Sequence, residues 1–229
     1  MLMSSSDLAV YVGRQLDSMF PVAEVPASEL RVYVDAALER LEVCFSALHL
    51  KYFQEEGASR FDPLHTDQYA MFLWYLGNAV WRLRGDERLA ARVYALNKAL
   101  HAVDIFHEVE LPDIWCLQHP VGAVLGRASY GDYFCFYQGC LVGVGMDGRS
   151  PTFGRGVVLF GGASVVGNCR IGDNVLLSTG AAVFDQDVPS NSLVVGRSPD
   201  LKIRPTRKDV VADFFTLLPP SGATPGRPS

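Results

Sequence analysis

From Phe153 onward the chain falls into consecutive blocks of six residues: FGRGVV, LFGGAS, VVGNCR, IGDNVL, LSTGAA and VFDQDV. The first position of every block is large and apolar, through Phe153, Leu159, Val165, Ile171, Leu177 and Val183. Position five is small or β-branched at Val157, Ala163, Cys169, Val175 and Ala181, until Asp187 breaks the pattern. Positions three and four collect Gly, Asn and Asp, residues that accept the left-handed and turn conformations of a sharp corner. A β-sandwich would show alternation at irregular spacings, without a constant six. The period predicts a short flat strand and a corner in each block. Three blocks then close a triangular coil, with position one filling the prism and position five fitting where strands crowd.

The same period is readable upstream with one residue dropped, as LGRAS, YGDYFC, FYQGCL and VGV. Between Gly143 and Phe153 the Gly-rich stretch 144–152 is too poor in apolar residues for a rung, and is expected to be a loop thrown out from the coil; such loops on rigid scaffolds often carry function.

The first half of the chain has a helical period instead. Ala27–Phe45 spaces Leu30, Val34, Ala37, Leu38, Leu41 and Val43 three to four apart. His65–Leu83 carries Tyr69, Phe72, Leu73, Leu76, Val80 and Leu83. In Glu87–Val103, Leu89, Val93, Leu96, Leu100 and Val103 line one face; Asp86 can cap it, and Gly85 ends the preceding helix. The aromatic set Tyr69, Phe72, Trp74, Tyr75 and Trp81 could box a ligand, but such stripes are usually core. The fold class expected is α+β. A helical domain (1–104) precedes a parallel β-helix of hexapeptide repeats (105–205, loop 144–152). A C-terminal segment (206–229) ends in the Pro-, Gly- and Ser-rich stretch Pro219–Ser229, expected to be disordered.

A net charge of −5 and the lack of a Lys/Arg cluster argue against nucleic-acid binding. Met1–Phe20 lacks the basic start and apolar run of a signal peptide, and no stretch approaches the roughly 18 apolar residues of a membrane helix. Five irregularly spaced cysteines favour buried reduced thiols, so a cytoplasmic protein is expected.

Local motifs then carry a family resemblance over Asp104 to about Ile203. Asp104-Ile105 stands fifteen residues before His119, which is followed by Pro120-Val121-Gly122-Ala123-Val124-Leu125-Gly126. Further on come Gln138-Gly139-Cys140-Leu141-Val142-Gly143 and the closing Val195-Gly196-Arg197-Ser198-Pro199-Asp200-Leu201-Lys202-Ile203. With the helical half and the inserted loop, this resembles the bacterial serine O-acetyltransferases of the hexapeptide acyltransferase superfamily. The resemblance implies a left-handed β-helix, acetyl-CoA as co-substrate, and a homotrimer or a dimer of trimers. It implies no metal. Where the family has Asp before its catalytic histidine this chain has Gln118, and where its loop carries Arg-His-Pro this chain has Arg149-Ser150-Pro151. Both departures fall on the acceptor side of the site.

Acetyl transfer to a hydroxyl requires removal of its proton as the oxygen attacks, a task suited to a neutral imidazole. The resemblance makes His119 the general base and Asp104 the carboxylate that orients it; the alternative for Asp104 is a surface carboxylate that ends a helix. The alternative for His119 is a histidine preceding a proline, its ring hydrogen-bonded at the first coil. Gly143 could supply an oxyanion N–H or be a corner glycine. Gly161, Gly162 and Ala163 could let a pantetheine arm lie flat, and Arg197 and Lys202 could meet coenzyme A phosphates or be surface charge. Gln118, Arg149 and Ser150 are the candidate acceptor contacts. Serine is one acceptor class; a sugar or nucleotide-linked amino sugar is the other, since Gln118 suits hydrogen bonding to a carbohydrate. A γ-type carbonic anhydrase would need three coil histidines for zinc, and this coil has only His119. A scaffold that had lost turnover would have no need of both Asp104 and His119.

Overall fold

The structure, a computed structural model, describes residues 3–22, 25–55, 58–59, 61–84 and 86–217. Gly85, expected to end a helix, and Pro219–Ser229, expected to be disordered, lie outside the described residues. The chain begins with helix α1 (Ser5–Met19), which the sequence reading did not assign. Leu8, Val12 and Leu16 form its buried stripe, and the Ser4 hydroxyl caps it by accepting the Asp7 N–H at 3.1 Å. Next come α2 (Ala27–Ser46), a two-stranded ribbon of β1 (Gln54–Glu55) and β2 (Ala58–Ser59), α3 (Thr66–Arg84) and α4 (Glu87–His101). Asp86 caps α4 as expected, its side chain accepting the Leu89 N–H at 3.0 Å.

The helical stripes hold with three corrections. Val43, Leu83 and Leu100 are exposed, because each lies near a helix end where the apolar face has turned past the core. The aromatic set is core: Tyr69, Phe72, Trp74 and Tyr75 are buried, and Trp81 is partly so. The fully buried Trp115, from the first coil, stands edge-on to Trp74 at 5.3 Å and lies parallel to Phe136 at 6.2 Å. One indole thus joins the core of the helical half to the interior of the coil.

The second half is a solenoid with three flat faces. One face stacks, in parallel, β3 (Asp104–Ile105), β5 (Val124–Leu125), β7 (Leu141–Gly143), β10 (Ser164–Val166) and β13 (Ala182–Phe184). The second stacks β4 (Trp115–Leu117), β6 (Phe134–Phe136), β9 (Val157–Leu159), β12 (Val175–Leu177) and β14 (Ser192–Val195), then adds β15 (Lys202–Pro205) antiparallel to β14. The third pairs β8 (Thr152–Phe153) with β11 (Arg170–Ile171).

The register confirms three blocks per coil: Thr152 pairs with Arg170, Val157 with Val175 and Ser164 with Ala182, each 18 residues apart (170−152, 175−157, 182−164). All six position-one residues and the five position-five residues are buried. The dropped residue upstream appears as the pairing Val124↔Leu141, 17 apart (141−124). The loop enlarges the next coil to 23, as in Phe134↔Val157 (157−134). It covers 144–151; Thr152, assigned to it from the sequence, belongs to β8 because its backbone pairs with Arg170.

After β15 the chain turns back. Helix α5 (Val210–Phe214) packs on the coil, and the residues around it clamp to the end of α2: His49 N–H donates to the Phe214 carbonyl at 3.0 Å and Thr216 N–H to that of Ala47 at 2.7 Å.

Candidate active site

The corner between β4 and β5 carries His119. Gln118 N–H still donates to the Phe136 carbonyl (2.9 Å), keeping the ladder of the coil, and the chain then breaks left-handed at His119 (φ 51°). A positive φ is uncommon for a side-chain-bearing residue and costs about 1–2 kcal/mol. Several contacts hold it. Val121 N–H donates to the His119 carbonyl at 2.7 Å, Gly122 N–H to that of Ala102 at 2.8 Å, and Asp104 N–H to that of Ala123 at 2.9 Å. The His119 N–H itself donates to Asp67 Oδ2 at 3.1 Å. Asp67 lies in the first turn of α3 and is only 8% exposed. The His119 side chain is exposed, and among the described residues its ring takes part in no hydrogen bond.

Two cavities flank the imidazole. One of about 390 Å³ is walled by Tyr52, Phe53, His65, Asp67 and Gln118. The other, about 320 Å³, lies between Asp67, Leu100, His101 and Val121. His101 forms a buried part of that wall, its Nδ1 lying 2.8 Å from Asn97 Oδ1. Burial pushes its pKa below the usual histidine range, against the opposing pull of Asn97 and Asp67. Gln118 is anchored, its amide Nε2–H donating to the Tyr137 hydroxyl at 2.9 Å. Burial pushes the Tyr137 phenol well up, so that hydroxyl is neutral, and Gln118 lines the larger cavity as an uncharged amide.

Asp104 is placed differently from the sequence expectation. Its carboxylate does not meet the imidazole: Oδ1 accepts from the Tyr94 hydroxyl at 2.7 Å and Oδ2 lies 2.5 Å from Lys98 Nζ. The cause is local. Ala102 caps α4 in the left-handed conformation (φ 51°), folding the chain so that Asp104 faces the last turns of its own helix. Partial burial alone would raise the Asp104 carboxyl, but the bonds from Lys98 and Tyr94 outweigh it and hold the group below its usual value. The pairing expected from a spacing of fifteen is replaced by one from a spacing of six.

The other candidates divide by edge. Gly161, Gly162 and Ala163 lie on the edge His119 occupies, between the β4–β14 face and the β3–β13 face, two coils along. Ala163 points its methyl into the prism and is fully buried, so it offers no surface; Gly161 lies beneath the Gln138 amide. Gly143 ends β7, at the far end of the β3–β13 face from His119. Arg149 and Ser150 follow it on that far edge, where both Nε and one terminal nitrogen of Arg149 lie 2.6 Å from Asp147 Oδ2. Arg197 and Lys202 are exposed at the last coil. One chain therefore brings His119 and Gln118 to one corner and sets Gly161 further along the same edge, with the loop residues on another edge. Asp67 was missed from sequence. It sits 52 positions before His119, and the only local signal was an acid beside a helix start.

Fold and site together define a hexapeptide solenoid whose first full corner offers an exposed imidazole to two cavities. No family model matches the chain. It is 30% identical over 148 residues to a serine acetyltransferase of Staphylococcus aureus, covering 59% of this chain and 69% of that protein. With a serine acetyltransferase of Synechococcus elongatus the identity is 40% over 105 residues, 44% of this chain and 43% of that one. In fold it matches the serine acetyltransferase of Brucella abortus in complex with coenzyme A: TM-score 0.65, 20% identity, 90% of this chain and 84% of that one. The chain belongs to the serine acetyltransferase family. It spans about half the length of several relatives that it matches. No described helix is long and apolar enough to cross a membrane.

Proposed function

We propose that this protein transfers the acetyl group of acetyl-CoA to the hydroxyl of a small acceptor, with His119 as general base and L-serine as the first acceptor to test. The observation that carries this reading is the exposed imidazole at the coil corner, without a ring hydrogen bond among the described residues and flanked by cavities of about 390 and 320 Å³. His119 takes the hydroxyl proton as the acceptor oxygen bonds to the thioester carbonyl carbon. As the tetrahedral intermediate collapses, the carbon–sulfur bond breaks and the departing thiolate takes that proton from the imidazolium. A coenzyme A complex of a family member supports the donor, and the Gly161–Gly162 stretch on the same edge is the proposed path for its pantetheine arm. Gly143, Arg149 and Ser150 lie on the opposite edge, so their proposed roles (an oxyanion N–H and acceptor contacts) require the loop of a second copy, in keeping with a proposed trimer. Arg197 and Lys202 are proposed phosphate contacts at the open end. Five free, buried thiols suit a reducing compartment, and a cytoplasmic location is proposed.

Gln118 favours a second reading of the acceptor. It is neutral, held by Tyr137, and offers a carbonyl where an acid would attract an ammonium group, which suits a hydroxyl-rich acceptor such as an amino sugar. The test is thiol release from acetyl-CoA with L-serine and then with amino sugars. His119→Asn tolerates the left-handed corner and should lower kcat by about 10²–10⁴. No release with any acceptor, and no acetyl-CoA binding, would refute the acetyltransferase reading; near-normal turnover of His119→Asn would remove the base assignment.

A further inference from the structure

The corner that carries His119 is not held by the coil alone, and the group that holds it comes from the helical half. The Asp67 carboxylate is nearly inaccessible and accepts the His119 N–H at 3.1 Å. Its own position is tightly determined. The neighbouring Gln68 is buried and clamps the segment before α3, its Oε1 accepting the Asp62 N–H at 2.7 Å and its Nε2–H donating to the Tyr52 carbonyl at 2.5 Å. One turn of α4 further in, Asn97 Nδ2–H donates to the Ala70 carbonyl at 2.9 Å, tying α4 to the same turn of α3.

We propose that Asp67 is a positioning residue: its charge-assisted hydrogen bond to the His119 N–H holds the left-handed corner and thereby aims the imidazole into the cavities. This rests on the reading of His119 as the base. The physical argument has two parts. A residue held at φ 51° returns to ordinary backbone unless its surroundings determine it, and the His119 N–H bond acts on that very torsion. An ionised acceptor makes this bond roughly twice as strong as a neutral one. The direction of the ring follows the backbone from which it projects, and a misplacement of about 1 Å can cost about 10² in rate. The arrangement also gives the helical half a task in the reaction, since the coil supplies the base and α3 fixes its aim.

Two variants and one physical measurement test it. Asp67→Ala removes the acceptor, whereas Asp67→Asn keeps a carbonyl oxygen in its place. With acetyl-CoA and the best acceptor, Asp67→Ala should lose about 10² in kcat with little change in KM for acetyl-CoA, and Asp67→Asn should recover most of the loss. Independently of turnover, the His119 amide in the ligand-free protein should be protected from hydrogen exchange in wild type, partly protected in Asp67→Asn and unprotected in Asp67→Ala. A wild type without thiol release would overturn the acetyltransferase reading while leaving the exchange arm to decide the hydrogen bond. Equal kcat in wild type and Asp67→Ala would overturn the positioning role, as would an Asn variant as impaired as the Ala variant. Should Asp67→Ala not fold, an unprotected His119 amide in wild type, or equal protection in wild type and Asp67→Asn with full loss of kcat in the latter, would overturn it as well.

Discussion

Replacing Gly154 by Ala tests how closely the coils stack. A Cβ at that position would lie 2.3 Å from Asp173 Oδ1, 2.8 Å from the Gly172 carbonyl carbon and 2.9 Å from the Asp173 nitrogen. The first clash can be relieved by rotating Asp173, but its Oδ1 holds the Arg155 N–H at 2.7 Å, so that bond is lost, at about 1 kcal/mol. The other two clashes are with backbone and no rotamer relieves them. Carbon atoms want about 3.5 Å or more, so the coils must part by several tenths of an ångström. The Gly154 N–H bond to the Ile171 carbonyl, now 2.8 Å, resists that. Overpacking of this kind costs about 1–3 kcal/mol, and the stiffer unfolded chain of an Ala variant returns about 0.4–1 kcal/mol. The net expectation is a loss of about 1–3.5 kcal/mol. Gly180→Ala is the control. A Cβ there meets nothing within 4 Å, but φ is +70°, so only the left-handed strain of about 1–2 kcal/mol applies, offset by the same unfolded-state gain. Equilibrium unfolding in urea, followed by far-ultraviolet circular dichroism, should place the midpoint of Gly154→Ala below that of Gly180→Ala with equal slopes. If Gly180→Ala is the less stable of the two, backbone approach between coils is not what requires glycine at 154.

Other perturbations probe the remaining joints. Trp115→Ala empties the contact between the helical core and the coil and should cost about 3–5 kcal/mol in the same urea assay, unless the two cores are energetically independent. His101 and His107 are both held below the ordinary histidine value by burial, so each takes up a proton on unfolding. Their stabilisation is complete above about pH 6.5 and falls as the pH drops, by at most about 1.4 kcal/mol per pH unit for each. The urea midpoint should therefore fall between pH 7.5 and pH 5.5, and His107→Leu should shrink the difference; a midpoint independent of pH would contradict the buried neutral state. All five cysteines are buried and free, so an aromatic disulfide reagent should titrate none in the native protein within minutes and all five in denaturant.

Legibility differed by the range of the interactions. The hexad announces the solenoid because every coil repeats the same local demands, so position one is buried six times out of six. The stripes of α2, α3 and α4 were readable for the same reason, each helix carrying its own period. Helix α1 is harder to see in the sequence, since its stripe of Leu8, Val12 and Leu16 is short and interrupted by Asp7, Arg14 and Asp17. The return of the C-terminal segment to Ala47–His49 depends on backbone bonds between residues far apart in sequence, which leave no periodic trace.

The same division runs through the site. The sequence by itself determined the coil and set His119 just before it, because prism filling and turn residues are properties of single blocks; the left-handed corner at His119 is a finding of the fold. It also exposed Gln118 as the position where this chain departs from its family. Only the tertiary structure decided the partners. A spacing of fifteen residues placed Asp104 near His119 along the chain, but the left-handed cap at Ala102 turned that carboxylate onto Tyr94 and Lys98. The carboxylate that does reach His119 comes from α3, across the junction of the two halves. Which charge meets which donor depends on how helices pack against a corner, and that is settled by the shape of the shared core rather than by any local pattern.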